Sequence, residues 1–333
     1  MTLGARIFLI LFFITLALMT NARAGDQPSF AFPVDCVLGE TCIIQNFVDH
    51  DPSKSAKDYH CGALTYDGHD GIDIRIASLQ EMRRGVNVLA AADGTVLRVR
   101  DGMADQSIRA AGAFSVDGRE CGNAVIMDHG NGWQAQYCHM ALGSVHVSEG
   151  MKLKRGDVIG RIGLSGQTEF PHLHLTLRRD GRVVDPLAAD MPLDHCGGAE
   201  KSLIHVSSGD GRFYRDAFVF NRGFVDGAID LDAIEAGGLE ARKPLRQSDA
   251  LVAYVRVIGL KAGDIQHFKL TDPTGVVLTD KRFDPMDRSK AQNSLYIGRK
   301  RPADLWPKGR YDAVYEVIRD GATITTERFS LEF

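Results

Sequence analysis

The chain is predicted to be all-β, an antiparallel barrel-sandwich followed by a second, Ig-like β-sandwich. Three observations predict this. Short runs of alternating apolar and polar residues, separated by glycine turns, fill the stretch from Gly71 to about Pro186 and return after residue 247. All six cysteines lie before residue 200, so the two halves differ in texture. The composition, 44% hydrophobic and 25% charged over 333 residues, is that of a globular protein of about two domains. A net charge of −4 argues against nucleic acid as the main partner.

Residues 1–24 read as a secretory signal: Arg6, the apolar run Ile7–Met19, then Ala22-Arg23-Ala24 as a small-residue cleavage site. The run is too short to span a bilayer, and no other stretch is long and apolar enough, so no membrane span is expected in the mature form. Export to the periplasm or the extracellular space makes bridged cysteines the expectation for Cys36, Cys42, Cys61, Cys121, Cys138 and Cys196. Residues 25–65 read as a loop-rich segment with a turn at Asp49-His50-Asp51-Pro52-Ser53, one able to cover a cleft in a latent form.

Residues 66–196 form the first domain. Ile72, Ile74 and Ile76 alternate; Val86–Ala92 and Thr95–Arg100 flank Asp93-Gly94; Asn123–Asp128 and Trp133–His139 flank a glycine turn; Val158–Ile162 and His172–Arg178 complete the set. Residues 101–118 are a long excursion from one hairpin. Residues 197–246 read as a connecting region, with a short strand at Phe213–Phe220 and a solvated helix start within Ala228–Ala236. Residues 247–333 carry a second run of strands, the Ig-like β-sandwich, in which no titratable cluster is evident; docking a protein partner or spacing is its expected role.

Chemistry concentrates in three places. In Pro171-His172-Leu173-His174-Leu175-Thr176-Leu177 the leucines alternate toward a core, which sets His172 and His174 side by side on the opposite face. In His69-Asp70-Gly71-Ile72-Asp73 the flanking isoleucines place Asp73 on the face away from the core, with His69 entering from a glycine-flanked turn. Two histidines and a carboxylate form a common zinc set with a position left open for water. In Gln136-Tyr137-Cys138-His139 strict alternation puts Tyr137 and His139 on one face and Cys138 on the other, which argues against a Cys-His protease. Cys121 precedes the partner strand of that hairpin, so a Cys121–Cys138 bridge is favoured.

From His69 to His174 the chain resembles the lysostaphin-type (LytM) zinc metalloendopeptidases, which cleave peptide cross-links of bacterial cell walls and have the duplicated hybrid motif fold. The resemblance rests on His69–Asp73, Val88–Val96, His129-Gly130-Asn131-Gly132, Tyr137–Met140, Gly156–Gly166 and Pro171–His174, in that order. It implies one Zn2+ per chain held by His69, Asp73 and His174, with His139 and His172 lining the site as general base and oxyanion donors, and peptidoglycan peptides as substrate. Two departures stand out: Glu169-Phe170-Pro171 where the family has Thr-Gly-Pro, and Leu175-Thr176 where it has Phe-Glu. The rival readings are a non-catalytic LytM-like regulator of a cell-wall amidase and a zinc endopeptidase of secreted proteins. All five site positions are filled, which favours the enzyme. The rhythm of Gly150–Val158 is shared with lipoyl carriers, but Lys152 runs into a turn where a carrier lysine would need a hairpin tip.

Overall fold

The computed structural model describes residues 28–110, 112, 115–198, 201–206, 212–302 and 305–333. The expected signal segment at 1–24 lies outside the described residues. No helix among them is long and apolar enough to cross a membrane.

The first half is built on one eight-stranded sheet. Its strands are β1 (Cys42–Asn46), β2 (Ile72–Ile76), β3 (Gly94–Arg100), β4 (Asn123–Gly130), β5 (Trp133–Met140), β6 (Lys152–Leu153), β7 (His172–Arg179) and β8 (Arg182–Val184). They lie in the order β1-β2-β7-β5-β4-β3-β6, with β8 added to β7, and do not close into a barrel. Two short pairs complete this half: Asn87–Leu89 with Val158–Arg161, and Phe30–Ala31 with Ile204–His205. Period-two alternation turns Ile72, Ile74, Leu173, Leu175 and Leu177 into one continuous core. The other face of β2 and β7 is therefore left to Asp73, Arg75, His172 and His174. His172 lies opposite Arg75 and His174 opposite Asp73 in the ladder.

The segment before residue 66, expected as loop-rich, instead contributes β1, all of whose residues are buried and which pairs with β2. Its sequence, Cys-Ile-Ile-Gln-Asn, shows no alternation because both of its faces are covered. The disulfides join Cys36 to Cys42, Cys61 to Cys196 and Cys121 to Cys138, the last being the favoured bridge.

The second half is a sandwich of two antiparallel sheets. One orders β9 (Phe218–Val225), β10 (Ala250–Leu260) and β13 (Lys290–Lys300); the other orders β12 (Val277–Arg282), β11 (Ile265–Thr271), β14 (Arg310–Arg319) and β15 (Ala322–Glu332). Its core, from Ala217 to Leu331, includes β9, so the sandwich begins inside the stretch expected to be a connector. Trp306 is buried in this core and donates its indole N–H to the Ser248 carbonyl.

The acidic stretch does form a short helix, α1 (Leu231–Ala236), capped by Asp230. It is not simply solvated. Glu235 Oε2 accepts from Arg75 Nη2 and from Arg256 Nη1, both at 2.6 Å, and both arginines are fully buried. Arg256 Nη2 also donates to the Ala77 carbonyl at 2.6 Å. Ile43, Phe220 and Ile258 form a buried cluster at the same junction. The two halves are thus packed together directly behind β2. The sandwich also holds a titratable cluster the alternation did not reveal: His267 bonds Asp280 at 2.6 Å and Glu316 at 3.0 Å.

Candidate metal centre

Three side-chain atoms converge on the polar face of β2 and β7. His69 Nε2 lies 3.1 Å from Asp73 Oδ1 and 3.1 Å from His174 Nδ1, and His174 Nδ1 lies 3.0 Å from Asp73 Oδ1. Among the described residues this is the group whose ligand atoms are close enough to share a metal ion. Tetrahedral zinc ligands at about 2.0–2.2 Å from the metal stand about 3.3 Å from one another, so the triangle has the right size.

The hydrogen bonds on the far side of each ring decide the chemistry. His69 Nδ1 donates to the Phe47 carbonyl at 2.6 Å, which leaves Nε2 a lone pair in the neutral ring. His174 Nε2 donates to Thr176 Oγ1 at 2.9 Å and to Asp70 Oδ1 at 3.2 Å, which leaves Nδ1 a lone pair. Two imidazole lone pairs and a carboxylate oxygen therefore face each other in a buried site, an arrangement that a cation satisfies. The site's pull on positive charge shows in the same groups. A proton on His174 Nδ1 is stabilised in the same place: burial opposes it, but hydrogen bonds to Asp70 and Asp73 outweigh burial and raise the pKa to about 9, so a metal would bind there by displacing that proton. Burial likewise opposes ionisation of Asp73, and the charges and hydrogen bonds of His69, His172 and His174 hold it well below the usual carboxylate range.

His139 and His172 stand beside this triangle with ring centroids 4.7 Å apart. Each is oriented in the same way. His139 Nδ1 donates to the Ser165 carbonyl at 2.8 Å, and His172 Nδ1 to the Phe170 carbonyl at 2.9 Å, so each Nε2 faces the site. Burial, then the neighbouring His172 and His174, push His139 well below the ordinary imidazole value. His139 reaches the site by a route that alternation does not anticipate. Tyr137 turns into the core opposite Leu175, and Cys138 pairs with His174. His139 then takes φ 63°, a left-handed conformation rare outside glycine, which breaks the alternation and swings the ring inward. The expected sharing of one face by Tyr137 and His139 is thus corrected. The exclusion of a Cys-His nucleophile stands, because Cys138 is bonded to Cys121.

Several contributors carry no local signal in the sequence. Asn46 Nδ2 donates to Asp73 Oδ2 at 2.9 Å, so the N-terminal segment builds the site that it was expected to be able to cover. Asp70, itself held by Arg178 Nη2 at 2.7 Å, and Thr176 together fix His174. Gly71 is required beneath that ring, since a Cβ there would stand 2.8 Å from His174 Cε1 and 2.5 Å from the Leu175 carbonyl oxygen. A cleft of about 500 Å³ opens over Asp73 and His172, with Tyr66, Phe170, Arg109 and the sandwich residue Gln292 among its walls.

Residues 67–186, which hold all five of these histidine and aspartate side chains, match the family model described as Peptidase family M23. The segment is an M23 peptidase domain. An uncharacterized metalloprotease of Haemophilus influenzae is 32% identical over 124 residues, covering 37% of this chain and 21% of its own. The DD-carboxypeptidase/endopeptidase Mpg of Neisseria meningitidis is 33% identical over 117 residues, 34% of this chain and 24% of its own. The peptidoglycan DD-endopeptidase ShyA of Vibrio cholerae is 39% identical over 72 residues, 22% and 16% respectively. The chain therefore spans less than a quarter of the length of these relatives. Among solved structures, the catalytic domain of lysostaphin from Staphylococcus simulans is similar over 36% of this chain and 76% of its own, at 21% identity and a TM-score of 0.26.

Proposed function

We propose that the protein is an exported, zinc-dependent endopeptidase that hydrolyses peptide bonds in peptidoglycan cross-links or stem peptides. The observation that carries this reading is the convergence of His69 Nε2, Asp73 Oδ1 and His174 Nδ1, each with a lone pair directed inward, beside two further oriented histidines. His69, Asp73 and His174 would hold one zinc. Bound there, zinc polarises a peptide carbonyl and acidifies water enough for attack near neutral pH. Of the pair His139 and His172, the Nε2 that takes the proton of the attacking water becomes an N–H donor and can then hydrogen-bond the oxyanion as the tetrahedral centre forms; the other ring would donate there only as the imidazolium, protonated on both nitrogens. Their fixed Nδ1–H bonds keep both rings in position through that exchange. The M23 domain and relatives named as endopeptidases support peptide hydrolysis in the cell wall. Three disulfides suit an oxidising compartment outside the cytoplasm.

The test is hydrolysis of a synthetic cross-linked stem-peptide dimer by protein stripped with a chelator and then given zinc. Zinc is expected to restore the rate, and His139→Ala and His172→Ala each to lower it about 10²–10⁴-fold while binding zinc as before. Full zinc occupancy without hydrolysis of any cross-link chemistry would instead support the amidase-regulator reading.

A further inference from the structure

The cleft over Asp73 and His172 is not made by the M23 domain alone. Lys290, Ala291 and Gln292, at the start of β13 in the sandwich, line the same space. This wall is fixed rather than tethered. Gln292 Oε1 accepts from Arg75 Nη1 at 3.1 Å, and the shared Glu235 clamps Arg75 of the M23 domain to Arg256 of the sandwich. Arg75 in turn lies 4.4 Å above the centroid of Phe170, whose ring faces that of His172 at 4.7 Å.

The charged side chains that line the cleft are Asp73, which belongs to the candidate metal triangle, Arg109, Glu169 and Lys290. At one rim Arg109 and Glu169 neutralise one another at 2.6 Å. Behind Phe170, two fully buried guanidiniums share the single carboxylate of Glu235, which leaves one positive charge in excess. On the sandwich wall Lys290 forms no ion pair among the described residues, although it lines the cleft. An ammonium without a partner, backed by a buried positive excess, favours an anion in the space between.

We propose that the sandwich is a working wall of the substrate cleft, and that Lys290 binds a free carboxylate of the peptide being cleaved. The substrate class is thereby an acidic peptide, and Lys290 is a specificity-determining residue supplied from outside the M23 domain. This rests on the peptidase reading for its substrate, but its test does not depend on turnover.

The test is equilibrium binding to the full chain of two fluorescently labelled stem-peptide dimers, one with free carboxylates and one fully amidated, followed by anisotropy. The free-acid peptide is expected to bind about tenfold more tightly, the scale of one charge-assisted hydrogen bond. Lys290→Ala should abolish that preference without weakening the amidated peptide, Lys290→Glu should invert it, and Lys290→Arg should keep it. Equal affinity for the two peptides, binding of neither, or a preference that survives Lys290→Ala would overturn the proposal. Discrimination in binding without hydrolysis would leave it standing while defeating the peptidase reading.

Discussion

Two side chains outside the ligand triangle set how His174 presents its Nδ1. Asp70 Oδ1 and Thr176 Oγ1 both take the Nε2 proton, and Thr176 passes its own hydroxyl hydrogen to Asp70 at 3.3 Å. The Thr176 hydroxyl thus helps to hold the ring. Asp70→Ala is therefore expected to weaken zinc affinity about 10–100-fold, read by competition with a chromogenic chelator, with the fold unchanged by circular dichroism. A second residue-scale expectation concerns pH. His50 is buried, with Nε2 2.9 Å from Asp185 and Nδ1 2.7 Å from the His195 carbonyl, so both ring nitrogens face acceptors. Burial opposes the charge, but Asp185 outweighs it and the pKa is raised above 6.5. A raised folded-state value stabilises the protein fully below the unfolded value and is lost as pH rises through the folded one. The melting temperature should thus fall as pH climbs from 6.5 through that range, and Asp185→Asn should flatten the slope. The three candidate ligands were legible because they sit in local patterns, His-x-x-x-Asp and His-x-His. Asp185 lies 135 residues from His50, and no local pattern joins them.

At the scale of elements, period two was enough to place β2 and β7 and the face each presents. It failed where the chain departs from regular pleating. The end of β5 carries the left-handed His139, whose N–H donates to the Cys121 carbonyl at 2.8 Å and whose carbonyl accepts from Gly163 N–H at 3.0 Å. These bonds and the Cys121–Cys138 bridge hold a conformation that the residue would not adopt alone. Replacing both cysteines by serine is expected to cost about 3 kcal/mol of stability in a denaturant titration, the chain-entropy value for so short a loop. The rate should fall further than the stability loss explains, since His139 loses its clamp. Strand β1 escaped notice for a different reason: it is buried on both sides, and Cys-Ile-Ile-Gln-Asn, three apolar residues followed by two polar ones, has no alternation to detect.

For the whole molecule, the notable contact is the one between halves. The second set of strands was legible, but its docking was not, because it depends on a few scattered side chains: Ile43, Phe220, Ile258 and the Arg75–Glu235–Arg256 cluster. Glu235→Ala leaves two buried guanidiniums without a carboxylate and is expected to destabilise the protein by about 3–5 kcal/mol in chemical denaturation. Because Arg75 is stacked on Phe170 beside His172, the same change should also disturb the cleft. The proposed chemistry stands on the metal centre. Its most direct test is chromatography of the products released from purified peptidoglycan sacculi by zinc-loaded protein and by His174→Ala. The wild type should carry one zinc per chain and release peptides with newly exposed amino and carboxyl ends, and the variant should do neither. One zinc per chain with no released peptides from sacculi of any cross-link type would contradict it.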